Sequence, residues 1–378
     1  MPNNWKSWLI IVFLVLLSVV LLLWLLPRSF QSSSAQFRLP HMEKPRLGSQ
    51  RGVYVTYWVS VTKKRFGGLR EQAKGAGFNT IVVDAKERLS PPLTELVKKR
   101  QLKSDTQVTP EAWLSQLTQD LHAQGFTVTA RLVCFKDDHL VIARPDLGVH
   151  LPNGKLYTDR KGGRWADAYQ PEVRLYNQLI AERAALSGVD EVQFDYIRFP
   201  AEGAAKDAVY PLAEKNGWSK VDVINNYLKE TRARIKQYGV SIAVDIFGVT
   251  AWQSRKDSAN LGQDIQQMAK YIDVLSPMLY PSHFHNGYDG FAHPGSEPYY
   301  FINSGIKRTQ ALLSNEAVAI VPWLQGFNMR SPNFGPSYIT AQVKACQDAG
   351  VNRYLFWNAN NNYETTFTAL QHKPSGVK

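Results

Sequence analysis

Two aspartates carry the clearest chemical signal in this chain: Asp195, in Glu191-Val-Gln-Phe-Asp-Tyr-Ile-Arg-Phe-Pro200, and Asp245, in Ala243-Val-Asp-Ile-Phe-Gly248. Each closes a short β-branched and aromatic run. A carboxylate among such neighbours is costly to bury unless it is hydrogen-bonded or used. Strand alternation points Gln193 and Asp195 to one face, with Val192 and Phe194 on the other. The second run repeats this, with Ala243, Asp245 and Phe247 opposite Val244 and Ile246. On adjacent parallel strands, about 4.8 Å apart, the two carboxyl groups would lie within roughly 5–7 Å. That spacing suits a pair working on one glycosidic bond, with either a retaining gap of about 5–5.5 Å or a wider inverting one. Asp195 is expected as nucleophile or base. Asp245 is expected as general acid, which requires a pKa raised by burial or by its partner. The structural alternative is an ion pair of Asp195 with Arg131 or Arg198.

Other strand ends supply rings, amides and charges that suit a sugar, which has apolar faces and a polar edge. The expected substrate contacts are Trp58, Asp84, Lys86, Arg131, Arg198, Tyr280, His283, Trp323, Gln325, Trp357 and Asn358. Within the run over Thr80–Lys86, Asp84 and Lys86 should point inward, opposite Ile81, Val83 and Ala85. His283, His285 and Asp289 share a loop but lack a fixed metal-ligand spacing, so no metal site is expected. No phosphate-binding or dinucleotide glycine motif occurs, and no cofactor is expected. Lys136-Asp-Asp-His139 fits a solvated loop, a helix cap or a substrate contact equally well.

These residues need elements to hold them, and the chain repeats one theme from Arg51 onward. Eight short apolar runs alternate with helical stretches. The runs are Gly52–Trp58, Thr80–Lys86, Thr127–Phe135, Glu191–Phe199, Ser241–Phe247, Val274–Tyr280, Val318–Gln325 and Arg353–Asn358. Near-continuous apolarity is the mark of parallel strands covered on both faces. Helices are expected over Leu69–Gly77, Pro110–Gly125, Pro171–Gly188, Ser219–Gly239, Gly262–Ile272, Asn303–Leu313 and Ser337–Gly350, with a short tail after the last. Several open on proline or a Ser219/Asp222 capping box and close on glycine. The fold class predicted is α/β, a (β/α)8 TIM barrel over 49–378. Its surplus length falls in 136–169, 200–218 and 281–301, all after strand C-terminal ends, where barrel active sites form.

Ahead of the barrel, Trp8 to Leu26 is an apolar stretch free of charge and closed by Pro27 and Arg28. At ~1.5 Å per residue it reaches roughly 28 Å, close to the hydrocarbon thickness of a bilayer. Residues 1–27 are expected to form one N-terminal transmembrane helix, anchor or uncleaved signal, and 28–48 a flexible tether. The flanking Lys6, Arg28, Arg38, Lys44 and Arg46 would by charge alone keep the barrel inside. Short anchors of this kind commonly export the domain attached to them, so a periplasmic or extracellular barrel is expected. Net charge is +12, spread along the chain without a basic helix or zinc-finger spacing, and nucleic acid is not an expected partner. An anionic bilayer or acidic wall polymer fits the charge at least as well. The 10 Trp, 17 Tyr and 17 Phe are enough for both a core and a stacking cleft. Cys134 and Cys346 form no redox or metal motif and are expected as buried apolar residues.

The motifs also resemble a known family. Arg51-Gly-Val-Tyr-Val, Asn79-Thr-Ile-Val-Val-Asp-Ala-Lys86, Ala130-Arg-Leu-Val-Cys-Phe-Lys-Asp137, Val189-Asp-Glu-Val-Gln-Phe-Asp-Tyr-Ile-Arg-Phe-Pro200, Val244-Asp-Ile-Phe-Gly248 and Ser276-Pro-Met-Leu-Tyr-Pro-Ser-His283 resemble a bacterial glycoside-hydrolase-like family first catalogued as a domain of unknown function. The likeness covers roughly residues 50–365. Phe-Asp-Tyr-Ile-Arg-Phe-Pro is also similar to the strand-four motif of glycosyl-hydrolase-like lipoproteins acting on peptidoglycan. The resemblance implies a TIM-barrel hydrolase related to amylase-like and chitinase-like barrels. In amylase-like barrels the nucleophile is a strand-four Asp and the acid/base lies on strand five, the places of Asp195 and Asp245. Strand five here offers Asp instead of Glu, a shorter reach. The function expected is hydrolysis of a bacterial wall or surface polysaccharide. The alternative is a non-catalytic, membrane-tethered polysaccharide-binding barrel.

Overall fold

Nine short parallel strands among the described residues occupy eight positions around a closed barrel. The computed structural model describes residues 48–371, apart from 255, 256, 258 and 315 and the side chains of 214 and 216. The anchor expected over 1–27, and all but the last residue of the tether, lie outside these. Among the described residues no helix is long and apolar enough to cross a membrane.

Strand β1 (Arg51–Val55) pairs with β2 (Thr80–Asp84) on one side and with β9 (Tyr354–Trp357) on the other. The ring continues through β3 (Thr127–Val133), β4 (Glu191–Asp195), β5 (Ser241–Phe247) and β6 (Val274–Met278). β6 then pairs with β7 (Ala319–Ile320) and, at Met278, with β8 (Trp323–Gln325), which pairs with β9 and closes the barrel. The single strand expected over Val318–Gln325 is therefore two segments. Pro322 has no N–H to give the ladder, which breaks there. Its carbonyl still accepts from Leu355 N–H at 2.9 Å.

Alternation sorts the side chains into two separate cores. Val53, Val55, Ile81, Val83, Val192, Phe194, Val244 and Ile246 face the helices. Tyr54, Val82, Ala243, Val274, Tyr280, Trp323 and Leu355 fill the barrel. The surrounding helices are α1 (Lys63–Gly75), α2 (Ala112–His122), α3 (Pro171–Leu186), α4 (Lys220–Ile235), α5 (Ile265–Met268), α6 (Pro298–Leu312), α7 (Pro336–Asp348) and α8 (Glu364–Leu370). Ser219 and Asp222 do form the capping box of α4. Both cysteines are buried and free.

Three further expectations change. α8 takes the place of the expected tail. Helical turns over Lys86–Leu89 and Pro91–Lys98, the latter opened by prolines at its first positions, come after β2. Strands also stop earlier than their apolar runs. Thr56 caps a helical turn over Tyr57–Val61, its hydroxyl accepting from Val59 N–H, so Trp58 lies on a helix and not at a strand end.

Candidate active site

The cleft is assembled by register. Gln193 and Phe194 of β4 stand beside Ala243 and Val244 of β5, so the next step along both strands brings Asp195 level with Asp245. Asp84 of β2 is likewise level with Arg131 of β3. The Arg131 guanidinium reaches across the mouth and donates to Asp84 and to Asp195 Oδ2. Tyr54 Oη donates to the same Asp84 carboxylate, and Tyr54 stacks on Trp357 with centroids 3.8 Å apart. Arg131 also lies 4.8 Å from the Trp357 ring.

β4 ends in an unusual turn. Tyr196 comes after Asp195 with φ 50°, left-handed and rare outside glycine. The Tyr196 N–H donates to Asp195 Oδ1 at 2.6 Å. Local strain of this kind, on the order of 1–3 kcal/mol, is held where surrounding structure enforces it. At the end of β5, a Cβ on Gly248 would meet the Met278 carbonyl oxygen at 2.3 Å, so only glycine lets β5 and β6 approach this closely at the mouth.

Asp245 is the more isolated carboxyl group. Its Oδ1 accepts from Trp323 Nε1 at 2.8 Å, and no salt bridge reaches it among the described residues. Complete burial, then the charge on Asp195, hold its pKa well above the usual carboxylate range. Burial also pushes Tyr280 up and His283 down, the latter helped by the positive charges of Arg330 and Lys161. Tyr280 and His283 are thus neutral near pH 7.

A cavity of about 590 Å³ opens over this pair. Of the expected contacts it is lined by Arg131, Asp195, Arg198, Asp245, Tyr280, His283, Trp323 and Trp357. Asp84 sits behind Arg131. Four expected contacts lie elsewhere. Trp58 is 68% exposed on its helical turn, against Tyr57. Lys86 begins a helix and turns away from the barrel axis, pairing with Asp137 at 2.8 Å and Asn177 at 2.9 Å. Gln325 is wholly buried and donates to Phe327 O and Ser331 Oγ, each at 3.0 Å. Asn358 ties Gly326 O to Asn362 O, each at 2.7 Å. For Lys86, Gln325 and Asn358, neighbouring protein groups satisfy the side chain instead of the cleft.

The cavity also contains residues that the sequence pattern did not single out: Lys161, Tyr196, Glu202, Phe247 and Met278 among them. Phe247 was legible, since alternation already turns it inward. Tyr196 was not, because an extended strand would point it outward. Lys161 and Glu202 come from long loops. Lys136-Asp-Asp-His139 proves to be a staple for the first of these. Lys136 pairs with Asp159 at 2.6 Å, Asp138 pairs with Arg164 at 3.1 Å, and Asp137 caps the helix over Asp138–Ala143. Among the described residues no cluster of His, Cys, Asp or Glu suits a metal ion. The Asp289 carboxylate is instead taken by Trp252 and Tyr300, each at 2.8 Å.

A barrel with paired carboxyl groups at its C-terminal mouth can be set against known proteins. A family model described as "Putative glycosyl hydrolase domain" matches residues 52–363. The chain belongs to that family. Solved structures of similar fold include the glycoside hydrolase domain of PgaB (BpsB) from Bordetella bronchiseptica, with TM-score 0.60 at 13% identity over 86% of this chain and 98% of that one. A β-galactosidase from Marinomonas ef1 gives TM-score 0.57 at 13% identity, covering 85% and 58%. The catalytic domain of a Paenibacillus polymyxa β-amylase gives 0.54 at 10% identity, covering 86% and 98%. At these identities the likeness is one of fold, the TIM barrel of glycoside hydrolases. Comparison with curated proteins gives no match.

Proposed function

We propose that this family member hydrolyses a glycosidic bond in a bacterial cell-wall or surface polysaccharide, with Asp245 as general acid and Asp195 as nucleophile or base. One observation carries the reading: a buried carboxyl group with its pKa held well above the usual carboxylate range stands level with a carboxylate bound by Arg131, on the floor of an aromatic cavity. Asp245 gives its proton to the departing glycosidic oxygen. The Trp323 N–H, already on Asp245 Oδ1, then stabilises the negative charge left behind. Asp195 acts on the anomeric carbon directly or through a water, its orientation fixed by Arg131 and the Tyr196 N–H. Trp357, Trp323, Tyr280 and Phe247 offer ring faces to the sugar, and Arg198 and His283 its polar contacts. Residues 8–26 would anchor the chain at the membrane, with the barrel on the periplasmic or extracellular side.

The Arg131–Asp195 ion pair also suits a second reading, a barrel that binds polysaccharide without cleaving it. Reducing ends released from purified wall and capsule polymers separate the two. Asp245→Asn and Asp195→Asn are each expected to lower release by about 10²–10⁴-fold, the usual contribution of an acid/base group. Full activity in either variant rejects that residue's role. Binding without turnover in the unaltered protein supports the second reading.

A further inference from the structure

Arg198 is a buried cation of this cavity that no carboxylate pairs with among the described residues. Its side chain is nearly fully buried, 4% exposed, yet it forms no salt bridge among the described residues. Its guanidinium lies 4.2 Å from the Phe247 ring centroid, 4.8 Å from that of Trp165 and 5.3 Å from that of Tyr196. Its one side-chain hydrogen bond among the described residues runs from Nη1 to Phe199 O at 3.1 Å. Asp195 and Glu202 act on it only through space, and desolvation outweighs them, lowering its pKa. Arg131 shows the contrast: it too is buried against an aromatic ring, but two carboxylates neutralise it.

Three ring faces recover part of the cost of desolvating a guanidinium, about 0.5–2 kcal/mol for a cation–π contact, and they leave its planar fork unfilled. Arg198 lines the cavity, which puts it within reach of a ligand there. Lys161, exposed on the same rim, adds a second positive charge. A planar fork with free parallel donors matches a carboxylate in two-point contact, which a neutral hydroxyl cannot reproduce. Packing between rings also fixes the fork, so little side-chain freedom is lost when an anion docks.

We propose that Arg198 is the specificity-determining residue of an anionic subsite, and that the saccharide this cavity takes carries a carboxylate there. The inference rests on the cavity being a saccharide site, and it is independent of turnover.

The test uses the full chain in detergent carrying Asp245→Asn, so that cleavage does not enter. Binding is measured to purified wall and surface polysaccharides in three forms: untreated, carboxyl-reduced with carbodiimide and borohydride, and stripped of phosphodiesters with hydrofluoric acid. Carboxyl reduction is expected to weaken binding by about tenfold or more, the scale of a charge-assisted pair, while phosphodiester removal leaves it unchanged. Adding Arg198→Gln should lower binding of the untreated polymer to the level of the reduced one. Arg198→Lys, which keeps the charge and loses the fork, should fall between and guards against an unfolded Gln variant. Binding that carboxyl reduction does not alter overturns the anionic subsite while leaving the saccharide site standing. Binding abolished by phosphodiester removal instead overturns the carboxylate. Failure to bind any polymer sinks both this inference and the function it rests on.

Discussion

Asp245 gains its acidity profile from two separable causes, and that makes its role open to measurement. Burial raises its pKa first and the Asp195 charge adds to the rise. An acid that must donate its proton works only below its folded pKa, so hydrolysis is expected to fall as pH rises through that raised value. Asp195→Asn removes one cause and leaves the other. The Asp245 carboxyl, monitored by carbon-13 NMR in that variant, should titrate at lower pH than in the unaltered protein, and still above an ordinary aspartate. An unchanged titration would mean that the two groups do not feel each other and are not a working pair. The aspartates themselves were readable from strand alternation alone. Tyr196 was not, because its φ of 50° is imposed by the turn around it and leaves no mark in residue type. Gln325 and Asn358 misled for a related reason: amides at strand ends serve backbone carbonyls as readily as sugars, and spacing does not distinguish the two uses.

At the scale of elements, the strands were legible because burial on both faces makes them apolar throughout, and their order came from alternation with helices. Their ends were not. Thr56, Pro322 and the chain after Asp195 terminate strands through a cap, a missing donor and a reversed φ, all inside runs that remain hydrophobic. Gly248 belongs to this class of local constraint, since it sets how closely β5 meets β6 beside Asp245. Gly248→Ala would drive a methyl group into the Met278 carbonyl, 2.3 Å away, and backbone cannot yield as a flexible side chain can. The expected cost is on the order of 1–3 kcal/mol, typical of overpacking. It should appear as a lower thermal midpoint together with impaired turnover, because the same shift displaces the Asp245 wall. A variant with unchanged melting would show that the strands part without cost and that the glycine serves no packing purpose.

Across the whole molecule, one strand links the two ends of the barrel. Glu191, Gln193 and Asp195 of β4 all point inward, so the residue that floors the cleft and the residue that plugs the opposite end share an axis. Glu191 is fully buried. Its Oε1 accepts from Thr129 at 3.0 Å and from Gln50 at 3.2 Å, while Oε2 has no hydrogen-bond partner among the described residues. Burial pushes its pKa up to about 7, from an ordinary 4.5. For a carboxyl group raised on folding, the native state holds its proton more tightly than the unfolded chain. Stability from this group is therefore complete below about pH 4.5 and is lost as pH rises through about 7. The difference corresponds to roughly 3 kcal/mol at most, by the usual 1.36 kcal/mol per pKa unit. Glu191→Gln keeps the shape and removes the titration. It should match the unaltered protein in thermal midpoint near pH 4 and exceed it near pH 8, with activity at the far mouth little changed. Equal gains at both pH values would assign the effect to packing and not to ionisation. A loss at both would mean that an amide cannot replace the neutral carboxyl group in its contacts with Gln50 and Thr129.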